Sequence, residues 1–356
     1  MPGIRAVVAD DSHFMRSVIS DLLSEGGIEV VAQANNGRQA LEAVREHAPD
    51  VVTMDVEMPE MDGIEAVERI MADRPTPILM LSAHTDEDAD VTFEALEKGA
   101  VDFFTKPGGE VSMEMSRLKD QLVEIVSSVA SAQPRAADAA PTAANVGTTT
   151  PDTTAVAAPT YVDRPTLIVG SSTGGPTVVE ELFSELPLDA DFRVLVVQHM
   201  PDGFTERFAD RLDARSEYDV SEASDGDRIA GGEALIAPGG YHMEVANYTH
   251  GRLRVSLNQD PPVNSVRPSV DVTMESAATK IDDPMVGVVL TGMGEDGAAG
   301  IEALKRHGAT TIVQDEASSA VFGMPKRAIE TGCVDTVEPI DTMQDAILDA
   351  ITTEEH

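Results

Sequence analysis

The first part of the chain alternates short apolar runs with longer amphipathic stretches. The runs at 4–9, 28–33, 51–55, 77–82 and 101–105 read as strands covered on both faces. Between them, 13–25, 36–47 and 62–72 carry apolar residues at helical spacing, with arginine and acid on the outer face. A further helix is predicted at about 110–131. A second series begins at Thr166-Leu167-Ile168-Val169. Strands are predicted at 194–198, 234–237, 286–290 and 310–313, helices near 176–186, 203–213, 269–281 and 297–308, and a hairpin near 242–257. Strand and helix alternating in this way predict an α/β protein with two doubly wound, parallel-sheet domains.

Periodic patterning is lost between the two series. Ala139-Ala140-Pro141-Thr142-Ala143-Ala144 and Thr148-Thr149-Thr150-Pro151 typify a stretch rich in Ala, Thr and Pro. It reads as a flexible linker at 132–164, between domains at 1–131 and 165–356. The tail Thr352-Thr353-Glu354-Glu355-His356 is expected to fray.

Composition adds three constraints. The 356 residues, 42% of them hydrophobic, suffice for two cores. With 63 acidic against 25 basic residues, the formal net charge is −38, which repels nucleic acid and anionic membrane. The second half has no basic recognition helix. The acid is spread along the chain rather than gathered in a tail, which favours adaptation to high salt over a cationic partner. A lone cysteine, Cys333, excludes an internal disulfide and is expected to be a small buried residue. There is no signal-peptide pattern, and no apolar run nears the roughly 20 residues of a membrane helix. A cytoplasmic protein without membrane insertion is expected.

Five residues of the first half fall where strands finish: Asp10 and Asp11, Asp55, Ser82 and Lys106. Open parallel sheets bind ligands at that edge. Three carboxylates brought together there repel one another unless a hard cation neutralises them, and Mg²⁺ takes oxygen ligands while keeping waters for a phosphate. With Val51-Val52-Thr53-Met54-Asp55-Val56-Glu57-Met58-Pro59 and Lys106-Pro107, this constellation closely resembles the receiver domain of two-component response regulators. The resemblance implies a flavodoxin-like fold. It makes Asp55 the acceptor of a phosphoryl group from a chemotaxis histidine kinase. Asp10, Asp11, Asp55 and the Glu57 carbonyl would hold Mg²⁺, and Ser82 and Lys106 would hold the phosphoryl oxygens. Phe104 falls at the aromatic switch position or is a plain core residue. Lys106-Pro107 would be cis. His13 reads as a surface residue at a helix start.

In the second half, Gly170-Ser171-Ser172-Thr173-Gly174 joins a strand to a helix and fits the G-x-S-x-G elbow that exposes a nucleophilic serine. A phosphate cradle is the other reading of such a turn, but the P-loop lysine and the full G-x-G-x-x-G are missing. A serine nucleophile needs a base, and the base needs an acid. His199 in Gln198-His199-Met200-Pro201 and Asp296 in Leu290-Thr291-Gly292-Met293-Gly294-Glu295-Asp296-Gly297 both lie past buried runs. Alone, His199 reads equally as a helix-entry histidine and Asp296 as a cap for the helix after it. These segments, with Val266-Arg267-Pro268-Ser269-Val270-Asp271, closely resemble the catalytic domain of chemotaxis protein-glutamate methylesterases, with a Rossmann-like fold. The resemblance implies Ser172 as nucleophile, His199 as base and Asp296 as orienting acid. Thr173 and Gly174 would shape the elbow, and the Met293 N–H would serve the oxyanion. Glu295 departs from the asparagine often found there and puts the pH optimum in doubt. The Arg267 guanidinium would meet an anionic receptor surface or make a structural salt bridge. The expected function is a phosphorylation-activated esterase for glutamate methyl esters on methylated chemoreceptors, which also deamidates glutamines and needs no cofactor for hydrolysis. The alternative is a phosphorylation-controlled receptor-binding module without hydrolysis.

Overall fold

The computed structural model describes residues 3–82, 86–106, 115–132 and 160–353. Most of the expected linker, the Lys106-Pro107 bond, residues 110–114 of the expected helix and the last three residues lie outside that set.

The first body runs β1 (Arg5–Ala9), α1 (His13–Glu25), β2 (Glu29–Ala34), α2 (Gly37–His47), β3 (Val51–Asp55), α3 (Gly63–Asp73), β4 (Ile78–Ser82), α4 (Asp86–Glu97), β5 (Asp102–Thr105) and α5 (Met115–Ala130). Its strands pair in parallel in the order β2-β1-β3-β4-β5. The buried runs became strands because helices cover both faces: β3 and β4 are buried at every position. Helix starts carry their own caps. The Asn36 side chain accepts from Gln39 N–H and that of Asp62 from Glu65 N–H, bonds worth about 1 kcal/mol each. His13 is exposed at the start of α1, as expected.

The second body runs β6 (Thr166–Ser171), α6 (Gly175–Glu185), β7 (Arg193–Gln198), α7 (Phe204–Arg215), β8 (Asp219–Glu222), β9 (Arg228–Ile229), β10 (Glu233–Ile236), β11 (His242–Thr249) and β12 (Arg252–Asn258). It continues with α8 (Val270–Lys280), β13 (Met285–Val289), α9 (Ala298–Arg306), β14 (Thr310–Gln314), α10 (Met324–Glu330), β15 (Thr336–Glu338) and α11 (Ile340–Asp349). Seven parallel strands lie in the order β15-β14-β13-β6-β7-β10-β8. The expected hairpin is β11–β12, antiparallel, and it gains β9 as a third strand. Helix α8 packs between this small sheet and the main one, with Thr273 Oγ1 donating to Met243 O.

Three expectations need correction. Thr160 and Tyr161 belong to the second body rather than to a free linker, because Tyr161 bridges Thr352 and Thr353 N–H donates to Thr160 O. The same bonds pin Thr352 and Thr353, which therefore do not fray. Cys333 is a free, half-buried thiol on the edge of the core rather than a fully buried one. Its segment follows the short helix α10, where the chain has already reached the surface.

The two bodies are packed together. The Phe103 and Phe204 rings stack at 4.5 Å and Phe93 stacks on Phe208 at 6.0 Å. Arg211 and Arg215 of α7 both pair with Glu97 of α4 and with Glu180 of α6.

Candidate active site

The parallel sheet of the second body places three chemical groups at neighbouring strand ends. β6 is central, with β13 on one side and β7 on the other. Ser172 follows β6, His199 follows β7, and Asp296 lies in the turn between β13 and α9. Ser171 stands opposite Gln198 in the ladder, so the residues after them, Ser172 and His199, leave the sheet side by side. His199 N–H closes this edge by donating to Ser171 O at 3.0 Å.

Ser172 sits in a turn that its neighbours determine. Its N–H donates to Thr291 O at 3.0 Å, and its own carbonyl accepts Gly175 N–H at 2.7 Å. Gly174 has φ +74°, and a Cβ there would stand 2.6 Å from that of Ala320. The turn thus demands glycine at that position. Thr173 is buried, and its carbonyl accepts the Thr291 hydroxyl at 2.9 Å. Gln198, buried, spans the edge: its amide donates to the carbonyls of Ser172 (2.9 Å) and His199 (3.2 Å) and accepts from Ser171 Oγ (2.6 Å).

His199 Nε2 lies 2.8 Å from Asp296 Oδ2. Burial pushes the Asp296 carboxyl up, but the bond and charge of His199, the Ser269 hydroxyl and the Val270 N–H together hold it down at about 2. An ionised acceptor puts the proton on Nε2 and leaves the Nδ1 lone pair of the neutral ring free to act as a base. The Ser269 hydroxyl donates to Asp296 Oδ1 at 2.7 Å and the Asn264 amide at 3.0 Å, while Val270 N–H donates to Oδ2 at 2.6 Å. Asp296 therefore caps α8 and not the helix that follows it. The cap reading was right in kind and wrong in target.

Met293 lies in a turn whose Gly292 N–H donates to Val321 O, while Gly292 O accepts from Gly323 and Met324 N–H. Glu295 is exposed and, with Asn264, Ser265, Phe322, Lys326 and Arg327, lines an outer recess of about 600 Å³. The Arg267 guanidinium makes no salt bridge among the described residues. It donates to the carbonyls of Gln259 (2.9 Å) and Asp260 (3.0 Å) and braces its own loop.

In the first body, Asp10, Asp11 and Asp55 each bring a carboxylate oxygen within 4.8 Å of the others. Lys106 Nζ stands 2.6 Å from Asp55 Oδ1 and 2.8 Å from Asp10 Oδ2. Burial raises the Asp55 carboxyl to about 6; Lys106 opposes the shift and Asp10 adds to it. An all-oxygen donor set of this density fits Mg²⁺. Glu57 lines the recess beside it with Asp11. Ser82 is buried at the end of β4, its hydroxyl accepting from Thr92 at 2.9 Å and its carbonyl from Lys106 N–H at 2.7 Å. Phe104 is half-buried against the core on that side of the sheet.

The first body also touches the second at the serine turn. Asp102, buried at the start of β5, hydrogen-bonds the Thr173 side chain, and burial pushes its carboxyl up to about 7. Leu96, Gly99, Ala100 and Val101 face Gly174, Thr177 and Val178 across a cavity of about 170 Å³.

Sequence reasoning quoted Gln198, Ser269 and Asp271 inside motifs without roles and passed over Asn264. Their signal was weak because each acts on other groups of the protein rather than on a ligand.

Comparisons with known proteins agree with this geometry. Residues 6–117 match the response regulator receiver domain and residues 167–347 match the CheB methylesterase family. A "protein-glutamate methylesterase/protein-glutamine glutaminase" of Haloarcula marismortui is 66% identical, covering 99% of each chain. One of Halobacterium salinarum is 59% identical, over 97% of this chain and 98% of its own. These halophilic relatives accord with the salt-adaptation reading of the acidic composition. The crystal structure of the Thermotoga maritima CheB methylesterase catalytic domain superposes with a TM-score of 0.50 at 39% identity, covering 52% of this chain and 98% of that one. The chain belongs to the CheB methylesterase family.

Proposed function

We propose that this protein is a phosphorylation-activated protein-glutamate methylesterase of the cytoplasm, acting on methylated chemoreceptors and deamidating receptor glutamines at the same site. The observation that carries the reading is the 2.8 Å His199–Asp296 bond at the strand edge where Ser172 emerges.

Ser172 Oγ attacks the γ-ester carbonyl and gives its proton to His199 Nδ1. Asp296 stays ionised and steadies the imidazolium. The Met293 N–H serves the oxyanion, and Thr173 and Gly174 shape the turn that presents Ser172. The tetrahedral intermediate expels methoxide, which takes the proton from His199 and leaves as methanol. A water then loses its proton to His199 and attacks the acyl-enzyme, and the second tetrahedral intermediate releases the free glutamate while Ser172 Oγ takes that proton back from His199. An amide passes through the same intermediate and loses ammonia instead. Ester hydrolysis needs no cofactor.

Asp55 accepts the phosphoryl group from a chemotaxis histidine kinase. Asp10, Asp11, Asp55 and the Glu57 carbonyl would hold Mg²⁺, which offsets charge during in-line transfer. Lys106 and Ser82 take the phosphoryl oxygens, and Phe104 follows Ser82. The first body, docked on Thr173 and Gly174, restrains the serine turn, and phosphorylation shifts the population toward the undocked state.

Ser172→Ala should lower methanol release from methylated receptor by about a thousandfold or more without changing the melting temperature. Wild-type rates from that variant would reject the esterase and leave a receptor-binding module. Asp55→Asn should abolish stimulation by phosphodonor.

A further inference from the structure

The acid of the triad is held by a partner that the reaction itself does not require. Asp296, just before α9, accepts bonds from the start of α8. Asp271, in the first turn of α8, accepts in return from the start of α9: its Oδ1 takes Gly297 N–H at 2.9 Å and Gly300 N–H at 2.7 Å. Gly297, the residue in the cap position of α9, has no side chain to do this. Each helix thus caps the other with one carboxylate. Both carboxylates are buried, 6% and 2% exposed. The Asn264 amide lies between them, donating to Asp271 Oδ2 at 2.8 Å and to Asp296 Oδ1 at 3.0 Å. Asn264 itself has φ +51°, a conformation asparagine tolerates better than most residues.

We propose that Asp271 and Asn264 are positioning residues of the esterase: through this reciprocal cap they hold Asp296 at the angle His199 requires. The inference rests on the triad reading above. Two buried carboxylates this close repel, so without the bridge Asp296 would turn away from Asp271 and from the imidazole. With the bridge, four donors (the Asn264 amide, the Ser269 hydroxyl and the Val270 and Asp271 N–H groups) fix Asp296, and its remaining bond goes to Nε2 of His199.

The second carboxylate also bears on the pH profile. Burial first, then the Asp296 charge, raises the Asp271 carboxyl to about 6, against the pull of its N–H donors and Asn264. Above that pH it is negative and adds a second charge behind the carboxylate that His199 meets. The other ionisable groups on these two helices and the turn between them and β13 are Glu275 and Lys280 on α8, Glu295 beside Asp296, and Glu302, Lys305 and Arg306 on α9. Elsewhere around α8 stand His242 and Glu244 on β11 and Arg193 on β7. Of all these, only Asp296 shares a hydrogen-bond donor with Asp271 among the described residues.

The test uses the full chain and methanol release from methylated receptor membranes, with Ser172→Ala as the control that establishes the esterase reading independently. Asp271→Asn should lower kcat about tenfold or more with KM within twofold. Its acid limb of kcat/KM should move to lower pH, because the second negative charge behind Asp296 is gone. Asn264→Gly keeps the left-handed backbone and removes only the bridge. It should lower kcat severalfold with a near-native melting temperature, and should decide the matter if Asp271→Asn does not fold. Should Asn264→Gly keep wild-type kcat, or Asp271→Asn lose only thermal stability with kcat and the acid limb unmoved, the pair is a structural cap and the proposal fails.

Discussion

Gln198 shows how a single side chain can set a site without touching a substrate. It satisfies one hydroxyl and two carbonyls at the strand edge. Gln198→Ala leaves those groups buried and unpaired, which costs about 2 kcal/mol. Urea denaturation should show that loss, and methanol release should fall with it, because Ser172 and His199 both hang from bonds that Gln198 accepts or donates. Residues with chemistry of their own were legible in the sequence: Asp10, Asp55, Lys106, Ser172, His199 and Asp296 stand out because a strand-end acid, base or hydroxyl has few bland uses in combination. Asn264 was not legible. Its value comes from lying between Asp271 and Asp296, which are 25 residues apart in the chain, and no local spacing encodes that distance.

At the scale of elements, the strand-to-helix turn after β6 is the least forgiving. Gly174→Ala puts a Cβ at φ +74° against Ala320, combining a left-handed conformation with a clash. A loss of about 2–3 kcal/mol in a chemical melt is expected, with esterase activity falling further than stability because Thr173 and Ser172 share the turn. Fully buried strands such as β3, β4, β6 and β7 were readable because both faces are covered and apolar residues dominate the run. β8 was not, since Asp219-Val220-Ser221-Glu222 lies at the sheet edge and buries only Val220. β9, two residues long, and β15, with no buried position, escaped for the same reason. Helix α9 was expected at the right place but with the wrong cap, because Asp296, two residues ahead of it, serves a different helix.

At the scale of the whole molecule, the docking of the two bodies combines an aromatic stack, an ion-pair network and one buried acid. Phe103 on Phe204 and Phe93 on Phe208 supply apolar contact that is indifferent to pH. Arg211 is held up and Glu97 held down by their pairing, so this contact stays charged across the neutral range. Asp102 differs. Burial lifts its carboxyl from 3.8 to about 7 in the docked state. Where docking supplies that burial, it outweighs the opposing Thr173 bond, and the docked form binds more protons than the undocked form below about pH 7. Docking is therefore strongest below pH 4 on this account, weakens by up to about tenfold per pH unit as pH rises from about 4 to 7, and levels off above pH 7. Since the docked body restrains the serine turn through Thr173, basal activity without phosphodonor should climb relative to Asp102→Asn between pH 5 and 7. The amide mimics the protonated acid and cannot ionise. Equal activities at pH 5 and a wild-type excess at pH 8 are expected, and both should converge when phosphodonor undocks the body. A ratio that stays flat from pH 5 to 8 would place the restraint in the aromatic stack and the arginine pairs alone.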